Sequence, residues 1–145
     1  VLVGEGPERA RLEERARALG VPLHLPGYLG DPYPTLGALD VAVLPSRAEG
    51  MPLVILEAMA LGVACVATPA AGTAELLEDG QSGMLVPVDD VPALARALDR
   101  LLGDAALRAR LAAAGGERAR TQFGLDAMMQ RFDVYLHAAA RWSAS

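Results

Sequence analysis

The pattern that most constrains this chain is the alternation of short apolar runs with stretches of helical periodicity. Five runs are typical of buried strands: residues 1–4 (VLVG), 21–27 (VPLHLPG), 40–46 (DVAVLPS), 63–68 (VACVAT) and 83–87 (GMLVP). Strands that are apolar throughout and alternate with helices predict a parallel sheet with helices on both faces. The predicted fold class is therefore α/β, with a Rossmann-like parallel sheet.

From residue 90 onward the pattern is helical only. Asp90 is a suitable N-cap, with Pro92 in the first turn of the helix that follows. Breaks at Gly103-Asp104 and Phe123-Gly124 predict three consecutive helices. We therefore predict one domain over residues 1–145, with 1–89 as its α/β part and 90–145 as its helical part.

Composition excludes several functional classes. The net charge of −5 argues against a nucleic-acid partner, and every basic residue is an arginine. A single cysteine, Cys65, rules out an internal disulfide and predicts a reducing, cytoplasmic compartment. No apolar run approaches the roughly 20 residues of a transmembrane helix. The chain begins without a methionine, inside an apolar run, so we expect it to be an N-terminally truncated piece of a longer protein.

The segment after the third predicted strand, SRAEGMPLVILEAMALG, reads as an apolar helix with an open N-terminus. Pro52 suits its first turn, and neither Gly50 nor Met51 has a side chain that can cap it. The amides of Leu53 and Val54 are then left open at the positive end of the helix dipole. Such a helix start favours an anion, most naturally a phosphate.

A glutamate inside this helix indicates what else the site could bind. Glu57 lies among apolar neighbours, which predicts a buried helix and a carboxylate that needs partners. The two adjacent hydroxyls of a ribose would satisfy it, and Glu49, eight positions earlier, could reach a group beyond the phosphate. Two simpler explanations stay open: Glu49 could only complement the helix dipole, and Glu57 could be held by Arg47 or by a backbone group.

These residues also resemble a known family. The stretch PSRAEGMPLVILEAMALGVACVAT is similar to the donor-site segment of retaining glycosyltransferases of the GT-B fold, those like glycosyltransferase family 4, whose mark is two glutamates separated by seven residues. VGEGPERARLEERARALG, LPGYL and AGTAELLEDGQSGMLVPVDDVPALARAL resemble the family's flanking elements in the same order. The resemblance implies one half of a GT-B fold, the C-terminal, donor-binding domain.

The resemblance also implies an enzyme and a role for each matching position. Glu57 would bind the ribose of a nucleotide-sugar, and Glu49 would contact the donor sugar and help to stabilise the reacting centre. The positions implied to hold the sugar and diphosphate by backbone amides are Gly50, Met51, Leu53 and Val54, and those beside the base are Leu25, Pro26, Gly4 and Gly6. The family transfers a hexose from a UDP-, GDP- or ADP-sugar with retained anomeric configuration. It needs no tightly bound cofactor or metal.

The chain departs from the family pattern at several points. Ala71 replaces the first of two glycines, and Leu125 stands roughly where a tryptophan is usual. The family's diphosphate-clamping Arg and Lys, and its acceptor-binding N-terminal domain, lie before Val1. The implied partner is therefore the chain's own N-terminal domain, and the isolated chain is expected to be inactive. Without that domain the last helix is expected to favour self-association through apolar residues, among them Met128, Phe132, Tyr135 and Trp142.

Three other functions share some of these sequence features. A nucleotide-sugar epimerase on the same fold, and a non-catalytic nucleotide-binding or assembly module, both remain alternatives. A dinucleotide-binding domain is disfavoured, because GEGPER has Arg9 where that fingerprint requires a third glycine.

Overall fold

The structure is a computed structural model that describes residues 1–70 and 72–142. Its elements, in chain order, are α1 (Arg9–Leu19), α2 (Tyr33–Gly37), β1 (Val41–Leu44), α3 (Leu53–Ala60), β2 (Ala64–Ala67), α4 (Thr73–Leu76), β3 (Met84–Leu85), α5 (Val91–Gly103), α6 (Ala105–Phe123) and α7 (Leu125–Trp142). Within those described ranges, no helix combines the length and the apolar character needed to cross a bilayer.

The three strands form a parallel sheet in the order β1-β2-β3. β1 pairs with β2 from Val41↔Ala64 to Leu44↔Ala67, and β2 pairs with β3 at its last two residues. The central strand β2 is buried along its whole length. The predicted α/β class, and the third, fourth and fifth predicted strands, are therefore confirmed.

Alternate residues of β2 enter two separate cores. Cys65 and Ala67 pack in a cluster formed with α3 and α4. Ala64 and Val66 pack on the other side, in a cluster formed with α5 and the first half of α6. This period of two places helices on both faces of the sheet, as the apolar strands predicted.

The first two predicted strands do not form. Residues 1–4 and 21–27 meet only at an isolated parallel bridge, Val3↔Gly27, flanked by a 2.9 Å hydrogen bond from Leu2 N to His24 O. Val3 is exposed, so this pairing buries too little apolar surface to extend into a ladder. The chain forms two compact units, residues 1–35 and 36–145, and these two segments belong to the first.

The ends of the helices follow the local sequence. Gly20 closes α1 in the left-handed conformation, with φ 65°. Asp90 caps α5 by accepting a 2.8 Å hydrogen bond from Ala93 N, and Asp104 caps α6 by accepting a 2.9 Å bond from Leu107 N. The predicted breaks between the three C-terminal helices are confirmed.

Candidate functional site

The candidate site lies at the carboxyl edge of the sheet in the second unit. Three loops leave the strands at this edge: residues 45–52 after β1, 68–72 after β2 and 86–90 after β3. Ligands of open parallel α/β sheets bind beyond the carboxyl ends of the strands. Hydrogen bonds and an ion pair connect these loops, as the following contacts show.

The first loop holds the carboxylate of Glu49. Ser46 Oγ donates a 2.6 Å hydrogen bond to Glu49 Oε1, and both residues are half-buried. Thr68, the first residue after β2, donates from Oγ1 to Ser46 O, and its N–H donates to Leu44 O at 3.2 Å. The loop after β2 therefore fixes the loop that carries Glu49. Thr68 was not predicted to take part in the site, although its place directly after an apolar strand is a sequence signal for it.

A close backbone approach joins the same two loops. Gly72 N donates a 3.0 Å hydrogen bond to Gly50 O. A Cβ atom on Gly72 would clash with that carbonyl oxygen, so this position requires glycine. The neighbouring Ala71, where the family has a glycine, lies outside the described residues. The hydroxyl of Thr73, the next residue, is buried and has no hydrogen-bond partner among the described residues.

The third loop reaches the first through an ion pair. Arg47 Nε donates to both carboxylate oxygens of Asp89, at 2.9 and 3.1 Å. Asp90 caps α5 as the sequence predicted, whereas the preceding Asp89 pairs with Arg47. These two residues are 42 positions apart, and no local sequence signal connects them.

The start of α3 is open, as the sequence predicts. Pro52 occupies the N-cap position rather than the first turn, and no side chain caps the helix. The first N–H groups of a helix have no partner within it, and the dipole makes this end positive. The start of α3, directly after the Glu49 loop, can therefore accept an anion.

The expectation that α3 is buried all round is wrong. It buries one face, formed by Ile55, Ala58 and Met59, whereas Leu53 and Val54 are exposed by 61% and 44%. These two exposed residues belong to the first turn of α3, next to the loop at the carboxyl edge of the sheet. Glu57 is half-buried and lines a cavity of about 670 Å³ between α3 and α6, together with Arg120 and Phe123.

Within the first unit, the positions predicted to lie beside the base are close together. Three of them line one cavity of about 210 Å³: Gly4, Gly6 and Leu25. The fourth, Pro26, is half-buried next to Leu25. Arg9, which also lines the cavity, donates a 2.9 Å hydrogen bond to Leu25 O and pairs with Glu5 at 3.2 Å. Neither Arg9 nor Glu5 was predicted from the sequence to lie at this site.

Residues 1–70 and 72–142 contain no group of three His, Cys, Asp or Glu side chains that could hold a metal ion. The single cysteine is buried, and desolvation raises the pKa of the Cys65 thiol to about 12. That thiol is therefore a core group rather than a nucleophile.

The fold is a parallel α/β sheet with helices on both faces, whose loops meet at the carboxyl edge. The family model for glycosyl transferases group 1 matches residues 1–104. The chain belongs to this family, and its fold is that of the C-terminal domain of a GT-B glycosyltransferase.

Similar proteins support this assignment. The lipopolysaccharide core biosynthesis glycosyltransferase LpsE of Rhizobium meliloti is 37% identical over 141 residues, which cover 96% of this chain and 41% of LpsE. The C-terminal domain of LpcC, a glycosyl transferase group 1 family protein of Francisella tularensis, is 31% identical with a TM-score of 0.73, covering 81% of this chain and 63% of that one.

HepE of Anabaena is similar in structure and has been solved with UDP, with UDP and glucose, and with UDP-glucose. Its UDP complex superposes with a TM-score of 0.86 at 26% identity, covering 94% of this chain and 40% of HepE. The chain thus spans about two fifths of the length of LpsE and of HepE.

Proposed function

We propose that this chain binds the nucleotide-sugar donor of a retaining glycosyltransferase of family 4 type, which transfers a hexose to an acceptor held by an N-terminal domain. The observation that carries the proposal is the uncapped start of α3 next to three interconnected loops at the carboxyl edge of the sheet. The fold that this chain shares with HepE, solved with UDP-glucose, supports it. In this assignment residues 1–145 form the donor domain, with 1–89 its α/β part and 90–145 its helical part.

The diphosphate of the donor would bind at the start of α3. Backbone amides of Gly50, Met51, Leu53 and Val54 would supply donors there, and the exposure of the Leu53 and Val54 side chains supports a ligand site at this turn. When the bond to the sugar breaks, negative charge develops on the diphosphate. Fixed amides and the helix dipole stabilise that charge without reorganising.

Glu57 and Glu49 would contact the two ends of the donor. The half-buried carboxylate of Glu57 would accept hydrogen bonds from the ribose hydroxyls. Glu49, whose carboxylate is held by Ser46, would face the sugar and stabilise positive charge at its reacting carbon. The base would lie beside Gly4, Gly6, Leu25 and Pro26. The nucleotide-sugar is the substrate, and we assign no tightly bound cofactor.

Calorimetric titration of the chain with UDP, GDP and ADP tests this proposal. We expect one of the three to bind, and Glu57→Ala to weaken its affinity at least about tenfold, because hydrogen bonds to a charged group contribute roughly 1.5–3 kcal/mol. Glu57→Gln should weaken it less, since the amide oxygen still accepts. Glu14→Ala, which removes an exposed carboxylate of α1, is the control and should change nothing. Equal affinities for wild type and Glu57→Ala would remove Glu57 from the ribose site.

An epimerase would share this donor site, so binding alone cannot distinguish it from a glycosyltransferase. The products formed with and without acceptor distinguish the two. The longer protein should release nucleoside diphosphate and form a glycosylated product only when acceptor is present. Conversion of the nucleotide-sugar without acceptor would favour the epimerase instead. Absence of nucleotide binding would favour a non-catalytic assembly module.

A further inference from the structure

Arg47, at the carboxyl edge of the sheet, has more hydrogen-bond donors than its contact with Asp89 uses. It lies inside the turn that the Ser46–Glu49 hydrogen bond closes, and its side chain is 79% exposed. It binds Asp89 through Nε, and no hydrogen bond from its two terminal Nη groups is made to any residue that the structure describes. Arginine has five N–H donors in a planar fork, so most of the donors of Arg47 face solvent.

Asp89, the partner of Arg47, has an unusual backbone conformation. It is the non-glycine residue of the described chain with a positive φ, 61°, in the left-handed region that disfavours most side chains. Its ion pair with Arg47 is exposed on both sides, and such pairs contribute little to stability. Since the fold gains little from this contact, the backbone outlier points to a role in function.

We infer that Arg47 donates its Nη groups to the diphosphate of the donor, and that Asp89 is a positioning residue that holds the guanidinium through Nε. This inference rests on the proposed function and adds a residue to its site. Arg47 is the one cationic residue in the sequence of the three edge loops, 45–52, 68–72 and 86–90. A diphosphate that binds there would contact backbone amides and one guanidinium group. The planar arrangement of the guanidinium N–H donors matches the spacing of phosphate oxygens.

Titration with UDP and with uridine distinguishes a contact to the phosphates from a general effect on the site. GDP is compared with guanosine, and ADP with adenosine, in the same way. Arg47→Ala should weaken binding of the nucleoside diphosphate at least about tenfold. It should leave the affinity for the nucleoside unchanged. Equal losses for both ligands would mean that Arg47 only supports the loop, and no loss for either would exclude it from the site.

Asp89→Asn tests the positioning role, because asparagine tolerates the same left-handed backbone. It should weaken diphosphate binding about two- to fivefold, the scale of an exposed ion pair. In the Arg47→Ala background it should have no further effect, because Asp89 acts through Arg47. Tighter binding by Asp89→Asn would overturn the positioning role, since it would show that Asp89 competes with the ligand for Arg47.

A matched control is available on α1. Arg11 pairs with Glu8 at nearly the same exposures, 79% and 57%, so Arg11→Ala removes a comparable ion pair and the same charge. It should leave the diphosphate affinity unchanged. If wild type binds none of the diphosphates, the donor-site proposal itself fails and this inference falls with it. If Glu57→Ala weakens binding and Arg47→Ala does not, only the inference about Arg47 is wrong.

Discussion

Glu49 shows how much of the site depends on single hydrogen bonds. Its carboxylate accepts from Ser46, whose carbonyl in turn accepts from the Thr68 hydroxyl, so the residue proposed to face the sugar is held by its own loop and by the loop after β2. A fixed charge of this kind stabilises a transition state without reorganising.

In the longer enzyme, Glu49→Ala should lower turnover by about a hundredfold or more, the scale found when one fixed electrostatic group is removed. The affinity for free nucleoside diphosphate should change little, because Glu49 is proposed to meet the sugar. Steady-state kinetics and titration of the same variant provide the two readouts. A collapse of nucleotide affinity would show that Glu49 instead holds the loop that forms the start of α3.

The buried thiol of Cys65 leads to a prediction about how the free energy of unfolding depends on pH. Burial raises the pKa of its thiol from 9.0 to about 12, so above pH 9 the unfolded chain loses this proton while the folded chain keeps it. The contribution of Cys65 to the free energy of unfolding is therefore complete below about pH 9 and is lost as the pH rises toward 12. At pH 8 the native thiol should resist an alkylating reagent that labels the denatured chain at once.

Denaturation of wild type and Cys65→Ala between pH 8 and 11 checks the sign. The difference in unfolding free energy between the two should shrink as the pH rises. A difference that stays constant, or rapid labelling of the native protein, would contradict burial of this thiol.

At the level of elements, the packing of α6 against α3 depends on a glycine. A Cβ atom on Gly115 would lie 2.9 Å from Ser82 O and 3.5 Å from Met59 Cγ. Since Ser82 O is a backbone atom, it cannot move aside as a side chain could. Glycine in mid-helix is unfavourable by roughly 0.5–1 kcal/mol relative to alanine, so the close approach is what retains it.

Gly115→Ala should therefore destabilise the protein by about 1–3 kcal/mol, the usual cost of overpacking a core. Urea denaturation measures this. Gly103→Ala is the control, because a Cβ at the end of α5 meets nothing within 4 Å. Its stability should equal or exceed that of wild type. A stable Gly115→Ala variant would mean that α6 can shift away from α3 without cost.

At the scale of the whole molecule, nucleotide binding and sugar transfer make different demands on the chain. We expect the isolated chain to bind a nucleoside diphosphate but to transfer no sugar. The chain has no lysine, and it spans about two fifths of the length of LpsE. Positioning of two reactants can account for roughly 7–11 kcal/mol of a barrier.

Incubation of the pure chain with UDP-, GDP- and ADP-hexoses and common acceptors, following nucleotide release, measures this. Acceptor-dependent turnover at an ordinary enzymatic rate would show that the chain is a complete enzyme. Slow or absent release beside measurable binding would support the proposal.

The last helix, α7, exposes several apolar side chains. Met128, Phe132 and Tyr135 of α7 are exposed by 55%, 58% and 73%, as the sequence suggested. The side chain of Trp142 lies outside the described residues. Self-association through this face, and a cytoplasmic location, both stay predictions.

Local pattern alone determined much of this fold. The α/β class, the three paired strands, the breaks before α6 and α7 and the caps at Gly20 and Asp90 follow from periodicity and from residues a few positions apart. The open start of α3 was equally predictable, because it depends on the absence of a capping side chain at neighbouring positions. Such features can be predicted without knowing which distant residues contact them.

Only the tertiary structure decided the contacts that join the edge loops. Gly72 meets Gly50 and Asp89 meets Arg47 because parallel pairing brings the carboxyl ends of β1, β2 and β3 to one edge. Burial likewise depends on which elements pack together. The first two apolar runs form a single bridge instead of two strands, and Leu53 is exposed in a helix that the sequence predicted to be buried. Apolar sequence shows that a segment can be buried, but burial requires a neighbouring layer, and which layer lies there depends on distant residues.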